Sequence, residues 1–370
     1  MNALERALHD RIARDGPLPF GAFMQLALYH PRWGYYSRSG PPRTGWKGHF
    51  VTSPELDPAY GSLWATAFEK VWAAAGLPEA FDVVEVGPGE GGFAGSVLSS
   101  VAAPFRHALA YRLVERSPEV EERQRTALAR FPVSWSASLG EVPPAPCGVV
   151  FANEVLDNLP VHLVERRGDS LLEVCVGSSG DRLVETLRPP AGPELEDWLA
   201  RAGAVVPDGH RFEVAMAAES FVRRCAGAVE TGAVVLVDYG AESAELAERP
   251  RGTLVAYGEG GPTEDVLARP GEQDVTAHAN WTVVRKTFRS LGWRVTGPLP
   301  QRDVLLGLGG RALDAGLREE HAAALAEGRG RDAVRALSRR SALGALLDPG
   351  GLGGLGVMIA TNGIPADRLP

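Results

Sequence analysis

The sequence predicts an open α/β fold with a largely parallel sheet, on three observations. An apolar run, Val83–Val86, stops at Gly87, and glycines follow at 89, 91 and 92. From residue 81 onward short apolar runs alternate with amphipathic or charged stretches. An acid, Glu115, closes the second of those runs. Strands separated by helices imply right-handed parallel crossovers, which place ligands at the strands' C-terminal edge.

The elements follow in order. Leu4, Leu8 and Ile12 stand at helical spacing in an amphipathic first helix, and Phe20 to Tyr29 makes a second. Residues 30–55, dense in Gly, Pro, aromatic and basic residues, read as a loop: either packed on itself or a lid over a ligand. Ser53-Pro54-Glu55 opens a helix through Trp72. Strands are predicted at Val83–Val86, Ala110–Glu115, Val133–Ser136, Gly148–Ala152 and Val234–Asp238, with helices at Phe93–Val101 and Pro118–Arg130. After Pro160 an alternating stretch turns at Gly168-Asp169 and around Ser178–Gly180, the pattern of an antiparallel ribbon on the edge or top of the sheet. Residues 241–347 bring a loop and then helices at Trp281–Leu291, Gly310–Glu327 and Asp332–Leu347. Strands near Trp293–Thr296 and at Gly356–Thr361 close the sheet. The expected organisation is a helical region and lid loop at 1–80, a cofactor-binding core at 81–160, a ribbon and helical insertion at 161–230, and the rest of the sheet with a helical substrate-side insertion at 231–370.

Composition narrows the function classes. At 370 residues the chain can bury a large core, and 45% hydrophobic with 23% charged residues is ordinary for a globular protein. A net charge of −8 argues against a general nucleic-acid binder. Cys147, Cys175 and Cys225 stand far apart with no CxxC pair, which makes neither a disulfide framework nor a zinc site and suits a reducing cytoplasm. No apolar run approaches the length of a membrane span, and the first residues lack a signal-peptide core. The expectation is a soluble cytoplasmic protein without membrane insertion. The scattered histidines give no metal-ligand spacing, so no metal is expected, and no GxSxG supports a hydrolase.

The glycine turn satisfies two cofactor fingerprints. Gly87-x-Gly89-x-x-Gly92 fits a dinucleotide, and Glu85-x-Gly87-x-Gly89-x-Gly91 fits S-adenosylmethionine (SAM). Glu115 suits the ribose hydroxyls of either. Three features favour SAM: Glu85 where a dinucleotide strand is usually apolar, Pro88 inside the turn, and the polar cluster Asn153-Glu154-x-x-Asp157-Asn158 after strand four, where methyltransferases hold the group to be methylated. Asn153 and Glu154 can alternatively be read as helix caps.

The blocks PFGAFMQLALYHPRWGYY (19–36), GHFVTSPEL (48–56), VEVGPGEG (84–91), NEVLDNLPVH (153–162), VLVDYG (235–240) and PGEQDVTAHANW (270–281) make the specific case. In these the chain resembles the MidA-like family of class I SAM-dependent methyltransferases. The resemblance implies a Rossmann-like methyltransferase sheet with a helical N-terminal region and insertions after strands four and five. It also implies SAM as cofactor and methylation of an arginine side chain of a protein, a respiratory complex I subunit by family analogy, with homodimerisation possible. Three departures stand near the substrate side: His49 where relatives have Asp, Ser62 in place of Glu, and Tyr257–Glu264 without the family's basic run.

The expected cofactor residues are Glu85, Gly87, Pro88, Gly89 and Gly91 around the methionine and ribose portion, Glu115 on the ribose, Ser138 and Leu139 beside the adenine, and Asn153. Glu154 and Asp157 are the expected catalytic carboxylates, oriented with Asn153. A carboxylate beside a guanidinium localises its charge and aims a nitrogen lone pair at the methyl. Thr52, Pro54, Glu55, Tyr60, Asp238 and Tyr239 are expected on the substrate side. A SAM enzyme acting on a small molecule or another side chain, and a non-catalytic assembly factor that keeps the SAM fold, are the other two readings.

Overall fold

The computed structural model describes residues 1–38 and 52–365, which form two compact units. The first comprises residues 1–38, 154–223 and 238–291, the second residues 52–153, 224–237 and 292–365. Half of the expected lid loop, residues 39–51 with His49 among them, lies outside the described residues.

The second unit is built on seven strands: β1 (Phe81–Val86), β2 (Leu109–Val114), β3 (Val133–Ser136), β4 (Ala145–Asn153), β5 (Val229–Asp238), β6 (Arg294–Pro300) and β7 (Gly356–Asn362). Their order across the sheet is 3-2-1-4-5-7-6. The pairs β3–β2, β2–β1, β1–β4 and β4–β5 are parallel, and β6–β7 is antiparallel. This is the expected fold class. All six residues of β1 are buried, which explains its nearly unbroken apolar run. The order reverses between β1 and β4, the switch point at which open α/β sheets bind ligands. Val86 is in register with Val114 and Ala152, and Val114 with Ser136. Gly87 and Glu115 therefore follow their strands, and Asn153 ends its own, along one edge of the sheet.

The helix expected from Ser53 to Trp72 is two helices, α1 (Ser53–Leu56) and α2 (Ala59–Ala74). Pro58 has no N–H to continue the first, and Asp57 accepts from the Ala59 N–H at 2.8 Å to start the second. Helices α3 (Gly92–Ser100) and α4 (Pro118–Ala127) follow β1 and β2. Phe93 of α3 stacks on Phe151 of β4 at 4.4 Å between ring centroids, and Trp64 and Phe68 pack against the same ring. This cluster holds α2 and α3 against the sheet.

Backbones approach closely at Gly148 and Gly232, which pair across β4 and β5. Gly232 has φ +140°, and a Cβ there would overlap the Gly148 carbonyl oxygen. Gly232→Ala is accordingly expected to destabilise the protein by on the order of 3 kcal/mol, measurable by urea unfolding.

In the first unit the N-terminal helix (Ala3–Asp15) carries an Asn2/Glu5 capping box and buries Leu4, Leu8 and Ile12. The ribbon forms as strands His162–Arg167, Ser170–Ser179 and Arg182–Arg188, with turns where the sequence places them. It does not extend the seven-stranded sheet. It belongs to a separate five-stranded antiparallel sheet completed by Leu18–Pro19 and Arg211–Val214. Those two partners are too short to show a period of two, which is why the pattern does not reveal them. A three-stranded sheet, Val255–Gly258, Gly261–Thr263 and Asp274–Thr276, stands in the segment read as a loop. Among the described residues no helix is long and apolar enough to cross a membrane.

Candidate active site

In the second unit the turn after β1 takes positive φ at three glycines: Gly87 at 68°, Gly89 at 53° and Gly91 at 82°. Side chains rarely adopt such angles, which accounts for the residue type. Pro88 between them is buried, while Gly87 and Gly89 are exposed. A Cβ at Gly89 would meet no protein atom within 4 Å, so a ligand can come against the main chain there. Glu115 is half-buried; one carboxylate oxygen accepts from the Ser117 N–H at 2.7 Å and the other from Gln124 at 3.3 Å. A carboxylate has about four acceptor sites, so capacity remains for the donors of a ribose diol. Burial pushes this carboxyl up, and the Ser117 and Gln124 donors pull it back. The open backbone at Gly89 and the spare acceptor capacity of Glu115 both fit a nucleoside cofactor.

Glu85, expected at the methionine end of the cofactor, is bonded within the sheet. It is 4% exposed and accepts from the Tyr111 hydroxyl at 2.7 Å. Burial pushes its carboxyl up to about 8, and the Tyr111 bond opposes this. At neutral pH it is mostly a neutral acid joining β1 to β2. Ser138 is exposed and bonds Glu141 at 3.2 Å, with Leu139 buried behind it. Tyr60 is fully buried in α2, its hydroxyl 2.6 Å from Asn153 Oδ1 and 3.0 Å from Gln301 Oε1. Thr52 flanks α1, Pro54 sits in its first turn, and Glu55 is half-buried in the same turn.

The first unit gathers carboxylates. Asp238 is fully buried, and one of its oxygens accepts from the backbone N–H groups of Val155 (3.1 Å), Leu156 (2.8 Å) and Asp157 (3.2 Å). Its other oxygen accepts from the Tyr239 N–H at 2.8 Å. Its geometry makes it the anchor of the 155–157 turn. The turn starts at Glu154, whose φ of +52° is strained for a residue with a side chain and costs roughly 1–2 kcal/mol. Asp157 is 8% exposed, and its Oδ1 is buried without a hydrogen-bond partner. Burial, then Asp238, Asp274 and Glu154, hold its carboxyl well above the usual range. Burial chiefly pushes Asp238 up to about 7. Tyr239 is exposed.

The sequence reading missed the frame around Asp157. Asn158 donates to Asp274 at 2.9 Å, and the Tyr36 hydroxyl lies 2.9 Å from both Asn158 Oδ1 and Asp274 Oδ2. The Tyr29 hydroxyl donates to the Asn158 carbonyl at 3.1 Å. Tyr36, Asn158 and Asp274 fall inside three of the family blocks, so a signal was present, but spacing alone does not join residues so far apart in the chain. Among the described residues no group of three or more His, Cys, Asp or Glu side chains is arranged to hold a metal ion.

Comparison with known proteins agrees with the cofactor chemistry. A model of the family of S-adenosyl-L-methionine-dependent methyltransferases matches residues 63–299. The chain is 29% identical to protein arginine methyltransferase NDUFAF7, mitochondrial, of Mus musculus, over 82% of this chain and 73% of that one. It is 28% identical to the Danio rerio protein of the same name, over 82% and 75%. A crystal structure of a COG1565 superfamily member from Burkholderia thailandensis, bound to S-adenosyl-homocysteine, superposes with a TM-score of 0.85 at 30% identity, covering 98% of this chain and 93% of that one. These names correct the cytoplasmic expectation, because the curated relatives are mitochondrial.

Proposed function

We propose, from the premise that this chain belongs to the family of S-adenosyl-L-methionine-dependent methyltransferases, that its acceptor is an arginine side chain of a protein. SAM supplies an electrophilic sulfonium methyl. Gly87, Pro88, Gly89 and Gly91 shape the backbone that holds it, and Glu115 takes the ribose hydroxyls. Ser138 and Leu139 flank the adenine, and Asn153, held by Tyr60, closes the edge of the site. Glu154 and Asp157 receive the guanidinium. They spread its charge onto the far nitrogens and take the proton that the methylated nitrogen sheds. Asp238 keeps the turn that carries them in place.

The carrying observation is the buried, unpartnered Asp157 Oδ1 with Asp238, Asp274 and Glu154 around it. A buried carboxylate is costly without a positive partner. A planar cation with several donors satisfies that oxygen and offsets the repulsion at once. Relatives named protein arginine methyltransferase support the same acceptor.

The test is direct. The protein is incubated with methyl-labelled SAM and matched peptides carrying arginine, lysine or glutamine, and the products are mapped by mass spectrometry. Label on arginine supports the reading; label confined to lysine, glutamine or a small molecule overturns it. On the cofactor side, Glu115→Ala should weaken binding of S-adenosyl-homocysteine by roughly 10- to 100-fold in calorimetry while the fold is retained.

A further inference from the structure

Helix α4 is charged along most of its length, and of its ten residues only Gln124 is buried. The burial is complete, and every polar atom of the amide is engaged. Its Nε2 donates to the Gly89 carbonyl at 2.7 Å and to Glu115 at 3.3 Å. Its Oε1 accepts from the Trp135 indole N–H at 2.9 Å. The partners decide the orientation: a carbonyl can only accept and an indole N–H can only donate, so the amide cannot be turned around. The next residue back, Arg123, makes a fork onto Glu90 at 2.8 and 2.9 Å. Two adjacent residues of α4 thus grip two adjacent residues of the glycine turn.

We infer that Gln124 is a positioning residue that locks the glycine turn and Glu115 into one cofactor-binding geometry; this rests on the reading of Gly89 and Glu115 as cofactor residues. The amide has two protons, one for each. Because a trans peptide holds its C=O and N–H on opposite sides, anchoring the Gly89 carbonyl turns the Glu90 N–H away from α4. Donation to Glu115 steadies the carboxylate and leaves its other lone pairs free for the ribose hydroxyls. Without Gln124, the Gly89 carbonyl loses its side-chain anchor, and a glycine is otherwise free to take many backbone angles. The ordering of turn and acid would then have to be supplied at binding, at the cost of affinity.

The experiment uses the full chain and S-adenosyl-homocysteine in calorimetry across pH 5.5 to 8.5. Gln124→Met keeps length and apolar bulk but removes all three hydrogen bonds. It should bind roughly 10- to 100-fold more weakly, with KM for SAM raised and kcat near wild type at saturation. Gln124→Glu keeps the acceptor for Trp135 and loses both donors when ionised. It should bind weakly at high pH and recover as acid restores a donating proton, while the wild type stays flat by comparison. A purely structural glutamine would not give that recovery. Wild-type affinity in Gln124→Met, or equally weak binding of Gln124→Glu at every pH, overturns the inference. Glu115→Ala separates the two levels: full affinity in that variant sinks the cofactor-site reading itself, whereas its loss beside a normal Gln124→Met sinks only the role of Gln124.

Discussion

Asp157→Asn should remove methyl transfer almost completely while leaving S-adenosyl-homocysteine affinity unchanged. The amide has the shape of the carboxylate, and the Asp157 N–H that Asp238 holds is a backbone group, so the 155–157 turn stays anchored. What is lost is the ability of a buried oxygen, which has no partner within the protein, to ionise beside the guanidinium. Removing one member of a buried, hydrogen-bonded charge pair costs about 2–5 kcal/mol, which places the loss in kcat/KM at roughly 30- to 4,000-fold. Glu154→Gln should act in the same direction but less strongly, since Glu154 is only half-buried and solvent screens it. Gly89 and Glu115, the proposed cofactor residues, are untouched by either change. Single-turnover transfer from labelled SAM, read beside calorimetry, separates the two steps. Turnover within threefold of wild type in Asp157→Asn would show that the carboxylate is not acting on the acceptor.

The parts of this site that could be read from the sequence are those whose residue type is dictated locally. Gly87, Gly89 and Gly91 announce positive φ because little else tolerates it, and β1 announces a buried parallel strand because both its faces are apolar. Glu115 is legible as the acid that follows β2. Side-chain direction is a different matter. Glu85 sits where a cofactor fingerprint wants an acid, yet its carboxyl turns to Tyr111, and nothing in the spacing tells one from the other. Asp238, expected on the substrate side, accepts from four backbone N–H groups, and no spacing announces those partners. Gln124 gives no signal at all, because one buried glutamine in a charged helix has no period. The small sheet at 255–276 is hidden for the same reason that short strands usually are: three or four residues cannot establish an alternation.

Stability and acceptor binding should respond to pH in opposite directions. Asp238 is pushed up to about 7 and Asp157 well above its usual range, whereas both titrate near 4 when unfolded. A carboxyl whose folded pKa is raised contributes stability in full below its unfolded pKa, and that contribution is lost as pH rises through the folded value. From about pH 4 to beyond 7 the free protein should therefore lose stability from this cluster, of the order of a few kcal/mol. Glu85, pushed up to about 8, adds a decline of the same sign, and it is unaffected by changes to the cluster. Over this range the guanidinium remains charged, so each proton that leaves the cluster strengthens its hold on the acceptor. KM for an arginine peptide should fall as pH rises through 7, while KM for SAM changes less. The same peptide should recover part of the stability lost at high pH, because it supplies the positive partner that the buried carboxylates lack. Urea unfolding of the wild type and Asp157→Asn from pH 5 to 9, with and without peptide, measures each contribution. The variant's curve should be flatter and should gain less from the peptide. Identical curves for the two proteins would mean that Asp157 neither titrates in this window nor meets the acceptor.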